Sequence, residues 1–244
     1  MRLYPVSETE QHTVDAGTAY ADLDLASRAP TQRPYVIVNM VATADGQGRI
    51  GDNTAKLGND TDMALFVQLR EQVDCVMAGT STIEAEQYKG PASKPETRER
   101  RVARGLRPRP LFATVTRSGS LPLDAPVFQD AAAEIAVFSD AEVALQGAAA
   151  KVTQVPTHDA AAILTRLHDD FGVRTLLLEG GPHLNAHFFA AELVDELFLT
   201  VAPVITGSGE PFPIIAGLLP AAQRLHLVTA MIDEDHLFLR YRVD

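Results

Sequence analysis

LLLEGGPHLNAHFF, residues 176–189, runs three leucines into a carboxylate, two glycines and a proline, and then into apolar residues at helical spacing. An apolar run of strand length that stops at Gly-Gly-Pro reads as a buried strand turning into a helix. Strands buried on both faces belong to parallel sheets flanked by helices, so the stretch points to an α/β fold. It also points to a ligand. In open α/β sheets ligands bind beyond the carboxyl ends of strands, where the next helix offers unpaired amides and the positive end of its dipole. Gly180 and Gly181 carry no β-carbon to hold a diphosphate away, and Pro182 at the first helical turn gives up an amide that would be unpaired anyway. A plain tight turn is the competing reading, because Gly-Gly is a weaker signal than the GxGxxG pattern, which the chain lacks.

Working outward, YVIVNMVA (35–42) and VDCVMAG (73–79) are further buried strands, and RTLLLEGG (174–181) is the strand of the opening stretch. Residues 60 or 61 can cap a helix that continues to about 72. PLFATV, EIAVF and KVTQV read as strands; AEVALQGAA (141–149) and DAAAILTRLHDDFG read as helices. VDELFLTVAPVITG is another strand, and RLHLVTAMIDEDHLFLRYRV a closing hairpin. The alternation predicts an α/β sandwich with a largely parallel sheet and antiparallel strands at one edge. Residues 1–33 are polar and alanine-rich and are expected to be an extension or linker, with 34–244 as the single functional domain.

Composition limits what such a domain can do. A chain of 244 residues with 46% hydrophobic content can bury a substantial core. Its net charge of -11 argues against nucleic acid as main partner, since phosphate-backbone binding depends on lysine and arginine. No uncharged apolar run approaches the roughly 18 residues of a membrane span, and the N-terminus lacks a signal-peptide core. The one cysteine, Cys75, fits a reducing cytoplasm and excludes a Cys-rich zinc site. His183 and His187 are four apart on one helix, but residue 184 is leucine, so no HExxH site forms and no metal is expected. Residues 89–110 hold eight of the 21 basic residues and read as a solvated loop with a short helix; a lid over an anion is the other reading.

Three more segments sit at strand ends. AGTST (78–82) places Gly79 and three hydroxyls, including Thr80 and Thr82, at a strand-to-helix turn. VTRSGS (115–120) sets Arg117 and Ser118 where a 2′-phosphate would need a bidentate partner. NMVATADG puts Asn39 in an otherwise apolar strand and Asp45 before a glycine in a long loop, a length that tends to be functional.

Taken in order, RPYVIVNMVATADG, LREQVDCVMAGTSTI and LLLEGGPHLNAHFFAAELVDELFLTVAPVITG resemble the reductase domain of the bifunctional riboflavin-biosynthesis deaminase/reductase, over about residues 34–243. That family has a dihydrofolate-reductase-like fold, a three-layer αβα sandwich. The resemblance implies an enzyme, an NADPH-dependent oxidoreductase that reduces the ribosyl group of a 5-amino-6-ribosylamino-pyrimidinedione 5′-phosphate to ribityl. It implies that Ala42, Gly79, Thr80 and Thr82 contact NADPH, that Arg117 and Ser118 hold its 2′-phosphate, and that Gly180, Gly181, Pro182, His183 and Leu184 hold its diphosphate. Asn39, Asp45 and Glu179 would face the reacting groups; Leu57, Arg70 and Glu86 would meet the substrate. A homodimer is the expected assembly.

The chain departs from that family in two places. Where the family has a D-D-P-x-L-T-x-R run after the GxxT turn, this chain has EAEQYKG, and where serines are common near 55 and 58 it has Ala55 and Gly58. Reduction of dihydrofolate, or NADPH binding without turnover, are the alternatives these departures leave open.

Overall fold

The computed structural model describes residues 2–5, 12–51, 54, 56–207 and 209–244; position 55 lies outside them. In chain order the elements are β1 (Arg2–Pro5), β2 (His12–Thr13), β3 (Tyr35–Thr43), α1 (Asp60–Arg70), β4 (Cys75–Met77), α2 (Thr80–Ala85), α3 (Pro95–Ala103), β5 (Leu111–Val115), α4 (Pro126–Gln129) and β6 (Glu134–Phe138). They continue with β7 (Lys151–Val155), α5 (Ala160–Phe171), β8 (Thr175–Leu178), α6 (Pro182–Ala190), β9 (Glu196–Ala202), β10 (Leu225–Asp233) and β11 (His236–Val243). A short 3-10 helix, Leu25–Arg28, precedes β3.

The strands form one sheet in the order β2-β1-β10-β11-β9-β3-β8-β4-β5-β6-β7. From β9 to β7 every neighbouring pair is parallel, as the unbroken apolar strands require. The hairpin β10–β11 joins antiparallel to β9, and β1 extends it by pairing with β10. The hairpin is therefore flanked on both sides, and β1 with β2, too short to read as strands from sequence, supplies the outer edge.

Side-chain alternation assigns the two faces. Ile37, Val76, Leu177 and Phe198 pack with Leu65 and Leu69 of α1, Ile83 of α2 and Val127 and Phe128 of α4. On the opposite face Val36, Val38, Met77, Leu176 and Leu178 pack with α5 and α6 through Ile163, Leu164, Leu167, Leu184 and Phe188. Helices thus cover both faces of the parallel block, giving the three-layer α/β sandwich that the sequence predicts.

Residues of the N-terminal segment are fastened to this core. Tyr20 and Leu23 are buried, their amides donate to the side chains of Gln68 and Gln72 at 2.9 and 3.0 Å, and the Tyr20 ring meets Phe198 edge-on at 5.1 Å.

Two local expectations are corrected. The helix expected over 141–149 is absent: the chain turns there, with Gly147 at φ 97 and the amides of Ala149 and Ala150 donating to the Phe128 carbonyl. Tertiary hydrogen bonds and a glycine in the left-handed region outweigh a weak alanine-rich propensity. Helix α1 is capped by Asn59, whose Oδ1 accepts from the Asp62 amide at 2.9 Å, rather than by residue 60 or 61, and it ends at Arg70.

The basic 89–110 segment folds against α1. Arg101 of α3 is fully buried and donates from Nη1 to the carbonyls of Arg70 and Val73, at 2.5 and 2.7 Å, and from Nε to that of Arg107 at 2.9 Å. It satisfies the carbonyl of Arg70, the last residue of α1, and that of Val73 in the turn beyond it.

Candidate active site

The carboxyl ends of β4, β5 and β8 open into a cleft of about 440 Å³. One wall is the turn from β4 into α2, with Gly79, Thr80 and Ser81; another is the strand end Val115–Ser118; the floor is the start of α6, Gly181–Leu184. Backbone conformation explains the glycines. Gly180 and Gly181 have φ of 100 and 99, where side chains are strained. An added β-carbon would lie 3.2 Å from Met40 Sδ at position 180 and 3.2 Å from Thr82 Oγ1 at position 181. The amide of Gly79 donates to the Gly180 carbonyl at 3.1 Å, locking the two glycine turns together.

Backbone glycine, hydroxyls, one arginine and a helix N-terminus converge there, a donor set suited to phosphate oxygens. Two further histidines line the cleft, His158, which the sequence did not mark, and His187, which it offered only as a discarded metal ligand. His158 pairs with the Asp140 carboxylate, and His187 donates from Nε2 to the His158 carbonyl at 2.9 Å. Thr116 lies beside Arg117, with its hydroxyl 3.4 Å from that of Ser118. His158 arrives from the loop before α5, more than 20 residues upstream of the glycines, so local pattern could not reveal it.

Glu179 divides this cleft from a second surface. Its amide donates to the Met77 carbonyl at 2.9 Å, while its side chain continues the alternation of Leu177 and turns to the α1 face of the sheet. There Oε1 and Oε2 accept from Nε and Nη2 of Arg70, both at 2.6 Å, and the Tyr88 hydroxyl also donates to Oε2. The Glu179 and Arg70 side chains are only 3% and 16% exposed. Desolvation alone would lower the Arg70 pKa, but the Glu179 charge and the Tyr88 hydroxyl more than reverse it, so the guanidinium is firmly protonated. Arg70 also stacks over Phe66, 4.0 Å from the ring centroid. Burial, then the Glu179 charge, push the Tyr88 hydroxyl well above the ordinary tyrosine pKa.

The same face carries Asn39 and Thr200. Asn39 pairs with Phe198 and Val41 with Thr200 across β3 and β9, so both polar groups look toward α1. Asn39 is half-buried with no side-chain hydrogen bond among the described residues. Thr200 Oγ1 donates to Asp62 Oδ1 at 2.6 Å. Burial raises the Asp62 pKa, offset in part by that hydroxyl and by the charge of His236. Asp62, Thr200 and Tyr88 were not singled out as site residues from sequence; each is brought in by a contact with a residue far away in the chain.

Asp45 lies at the rim. It accepts from Thr43 Oγ1 at 2.5 Å and from the Gly207 amide at 2.7 Å, tying the loop after β3 to the loop after β9. The Thr43 hydroxyl first and these amides second hold its pKa below the usual carboxylate value. Neither expected acid is poised to give up a proton: Asp45 is held as an acceptor, and both oxygens of Glu179 are taken by Arg70 and Tyr88.

The remaining expected residues are less central. Ala42 is buried on the α5–α6 side of β3, near the glycines through Met40. Thr82 contacts Gly181 from α2. Leu57 is fully buried and presents no side-chain surface; its carbonyl lies 3.1 Å from His236 Nε2. Glu86 is the exposed C-cap of α2 and accepts from Thr54 at 2.7 Å rather than from Arg70 or Tyr88 among the described residues. Among the described residues no group of three or more His, Cys, Asp or Glu is placed to share a metal ion, and no helix is long and apolar enough to cross a membrane.

Comparison with known proteins bears on this geometry. Residues 34–234 match the family model described as the RibD C-terminal domain. The chain is 32% identical over 184 residues to a 2,5-diamino-6-ribosylamino-4(3H)-pyrimidinone 5′-phosphate reductase of Archaeoglobus fulgidus, covering 72% of this chain and 83% of that one. A protein of the same description from Methanothermobacter thermautotrophicus is 28% identical over 221 residues, covering 86% and 99%. Among solved structures, a pyrimidine reductase-like protein of Corynebacterium diphtheriae superposes with a TM-score of 0.77 at 20% identity, covering 95% of this chain and 99% of that one.

Proposed function

Because the chain belongs to the RibD C-terminal domain family, we propose that it is an NADPH-dependent reductase of a ribosylamino-pyrimidine 5′-phosphate, acting in riboflavin-type biosynthesis. The observation that carries the reading is the Glu179–Gly180–Gly181 segment, where Gly181 lines the cleft at the start of α6 while the Glu179 carboxylate turns to the α1 face and pairs with Arg70. A cofactor and a substrate bound on either side would meet at the carboxyl ends of β3 and β8. The names of the archaeal relatives support this substrate class.

When bound, the nicotinamide supplies a hydride for the electrophilic carbon of the ribosyl group. The chain's residues do the rest. Arg117 and Ser118 give a 2′-phosphate its donors, and Gly180 to Leu184 admit the diphosphate. The Arg70–Glu179–Tyr88 cluster stiffens the substrate side, and Asn39 offers a free carboxamide to the ring. With Asp45 and Glu179 both engaged, solvent water is the proton source.

The finer assembly is part of the proposal. Leu225, Leu227 and Leu237 are 39%, 36% and 36% exposed on one face of β10 and β11, an apolar surface that a second copy in a homodimer would cover. A cytoplasmic, soluble enzyme is consistent with the buried thiol of Cys75.

Steady-state oxidation of NADPH should be followed with ribosylamino-pyrimidine phosphates and with dihydrofolate. Turnover of the former and not of the latter is expected. NADPH binding without oxidation by any of them would replace this reading with a non-catalytic one.

A further inference from the structure

We propose that His158, held in place by Asp140, is the second cation for the 2′-phosphate of NADPH, and that the cofactor is therefore bound together with a proton. The inference rests on the cofactor reading given above and adds to it a specificity-determining residue and a pH dependence.

The charge balance of the cleft calls for such a group. A phosphate monoester carries about −1.5 to −2 charges at neutral pH. Arg117, exposed and without an ion-pair partner among the described residues, supplies one positive charge. The lining holds no lysine and no acid, so a further positive charge can come only from its three histidines, His158, His183 and His187. Two of them are otherwise placed. His183 follows Pro182 in the first turn of α6, beside the glycines assigned to the diphosphate, and His187 spends its Nε2–H on the His158 carbonyl at 2.9 Å.

His158, in the loop between β7 and α5, is oriented for the role. Its Nδ1 pairs with a carboxylate oxygen of Asp140, and since a carboxylate only accepts, Nδ1 carries the hydrogen. Asp140 is itself fixed, because Gln154 Nε2 donates to the carbonyls of Ser139 and Ala141 on either side of it, at 3.3 and 2.8 Å. With Nδ1 and the His158 carbonyl both engaged, the ring turns to the cleft the one group left, Nε2, which has no partner among the described residues.

Unprotonated, Nε2 offers a lone pair that repels a phosphate oxygen. Protonated, it is a charged donor. Histidine makes this change between about pH 5 and 8. The other acids nearby do not take Asp140's place: Asp159 turns its carboxylate to the Ala162 amide at 2.8 Å, and Glu142, in an exposed position, packs its backbone against Gly119. A phosphate dianion beside the ring favours the protonated form, so NADPH affinity is fullest at low pH and falls as pH rises through the histidine range. NADH, which lacks the phosphate, takes up no proton at this position.

The test is calorimetric titration of the full chain with NADPH and NADH at about pH 6.5 and about pH 8.5, above the second ionisation of a phosphate monoester near 6, so that the cofactor's own charge changes little. The wild-type preference for NADPH over NADH should fall by at least about fivefold across that interval, and NADPH binding near neutral pH should show net proton uptake in buffers of different ionisation enthalpy. His158→Gln, which keeps a neutral donor, should hold the preference constant to within about twofold and abolish the uptake. Asp140→Asn, which keeps an acceptor for Nδ1 but removes the charge, should move the fall to lower pH. A preference that falls as steeply in His158→Gln as in wild type, or that loses its pH dependence only in His183→Gln, would overturn the proposal while leaving the cofactor reading intact. Equal affinities for NADPH and NADH at both pH values would instead overturn the cofactor reading, and this proposal with it.

Discussion

Glu179 and Arg70 form a bidentate pair, with Nε donating to Oε1 and Nη2 to Oε2, each at 2.6 Å, between the end of β8 and the end of α1. The two side chains are 3% and 16% exposed, so neither charge has adequate water without the other. Arg70→Met should cost about 3–5 kcal/mol in denaturant unfolding, because it leaves a buried carboxylate unpaired. Arg70→Met together with Glu179→Gln should recover much of that loss. A cost below about 1 kcal/mol for the single variant would mean that Glu179 is solvated in solution.

Arg117 stands at the rim of the glycine-floored cleft beside Ser118. Arg117→Ala should reduce the preference for NADPH over NADH by about 1.5–3 kcal/mol, the range for a charged hydrogen bond, measured from the two dissociation constants. Equal affinities in the wild-type chain would remove the assignment.

Gly181 combines φ 99 with a close neighbour on each side, Thr82 and Gly79. Gly181→Val should abolish dinucleotide binding. Backbone strain should also cost on the order of 1–3 kcal/mol of stability in the absence of ligand. Retained cofactor affinity in calorimetric titration would show that the turn is structural only.

Burial raises the folded-state pKa of Asp62, so its ionised form opposes folding. The stability associated with this carboxyl is complete below the unfolded-state pKa of about 3.9 and is lost as pH rises through the higher folded-state value. Asp62→Asn, which keeps an acceptor for Thr200, should therefore gain on wild type in melting temperature as pH is raised from about 4 to neutrality. A difference that shrinks with rising pH would contradict the shift.

How far the sequence disclosed this arrangement depends on how local each signal is. The parallel block was legible because Val36–Val38, Cys75–Met77 and Leu176–Leu178 are apolar without interruption, and the glycines after β4 and β8 marked the strand ends where the cleft forms. Asp62 carried no mark of its own, falling in the first turn of the helix expected from residue 60 or 61; its contact comes from Thr200, 138 residues away. Tyr88 reaches Glu179 across 91 residues and likewise carries no local mark. The turn at 141–149 shows the reverse error, a helix-like composition overruled by hydrogen bonds to Phe128.

The central claim, that the chain reduces the ribosyl group of its substrate from the nicotinamide held over Gly180 and Gly181, is tested most directly with NADPH carrying deuterium at both C4 positions. Incubation with the ribosylamino-pyrimidine 5′-phosphate should yield a ribitylamino product with one deuterium on the former anomeric carbon, located by mass spectrometry and proton NMR. A ribityl product without that deuterium, or recovery of unreduced substrate, would contradict it.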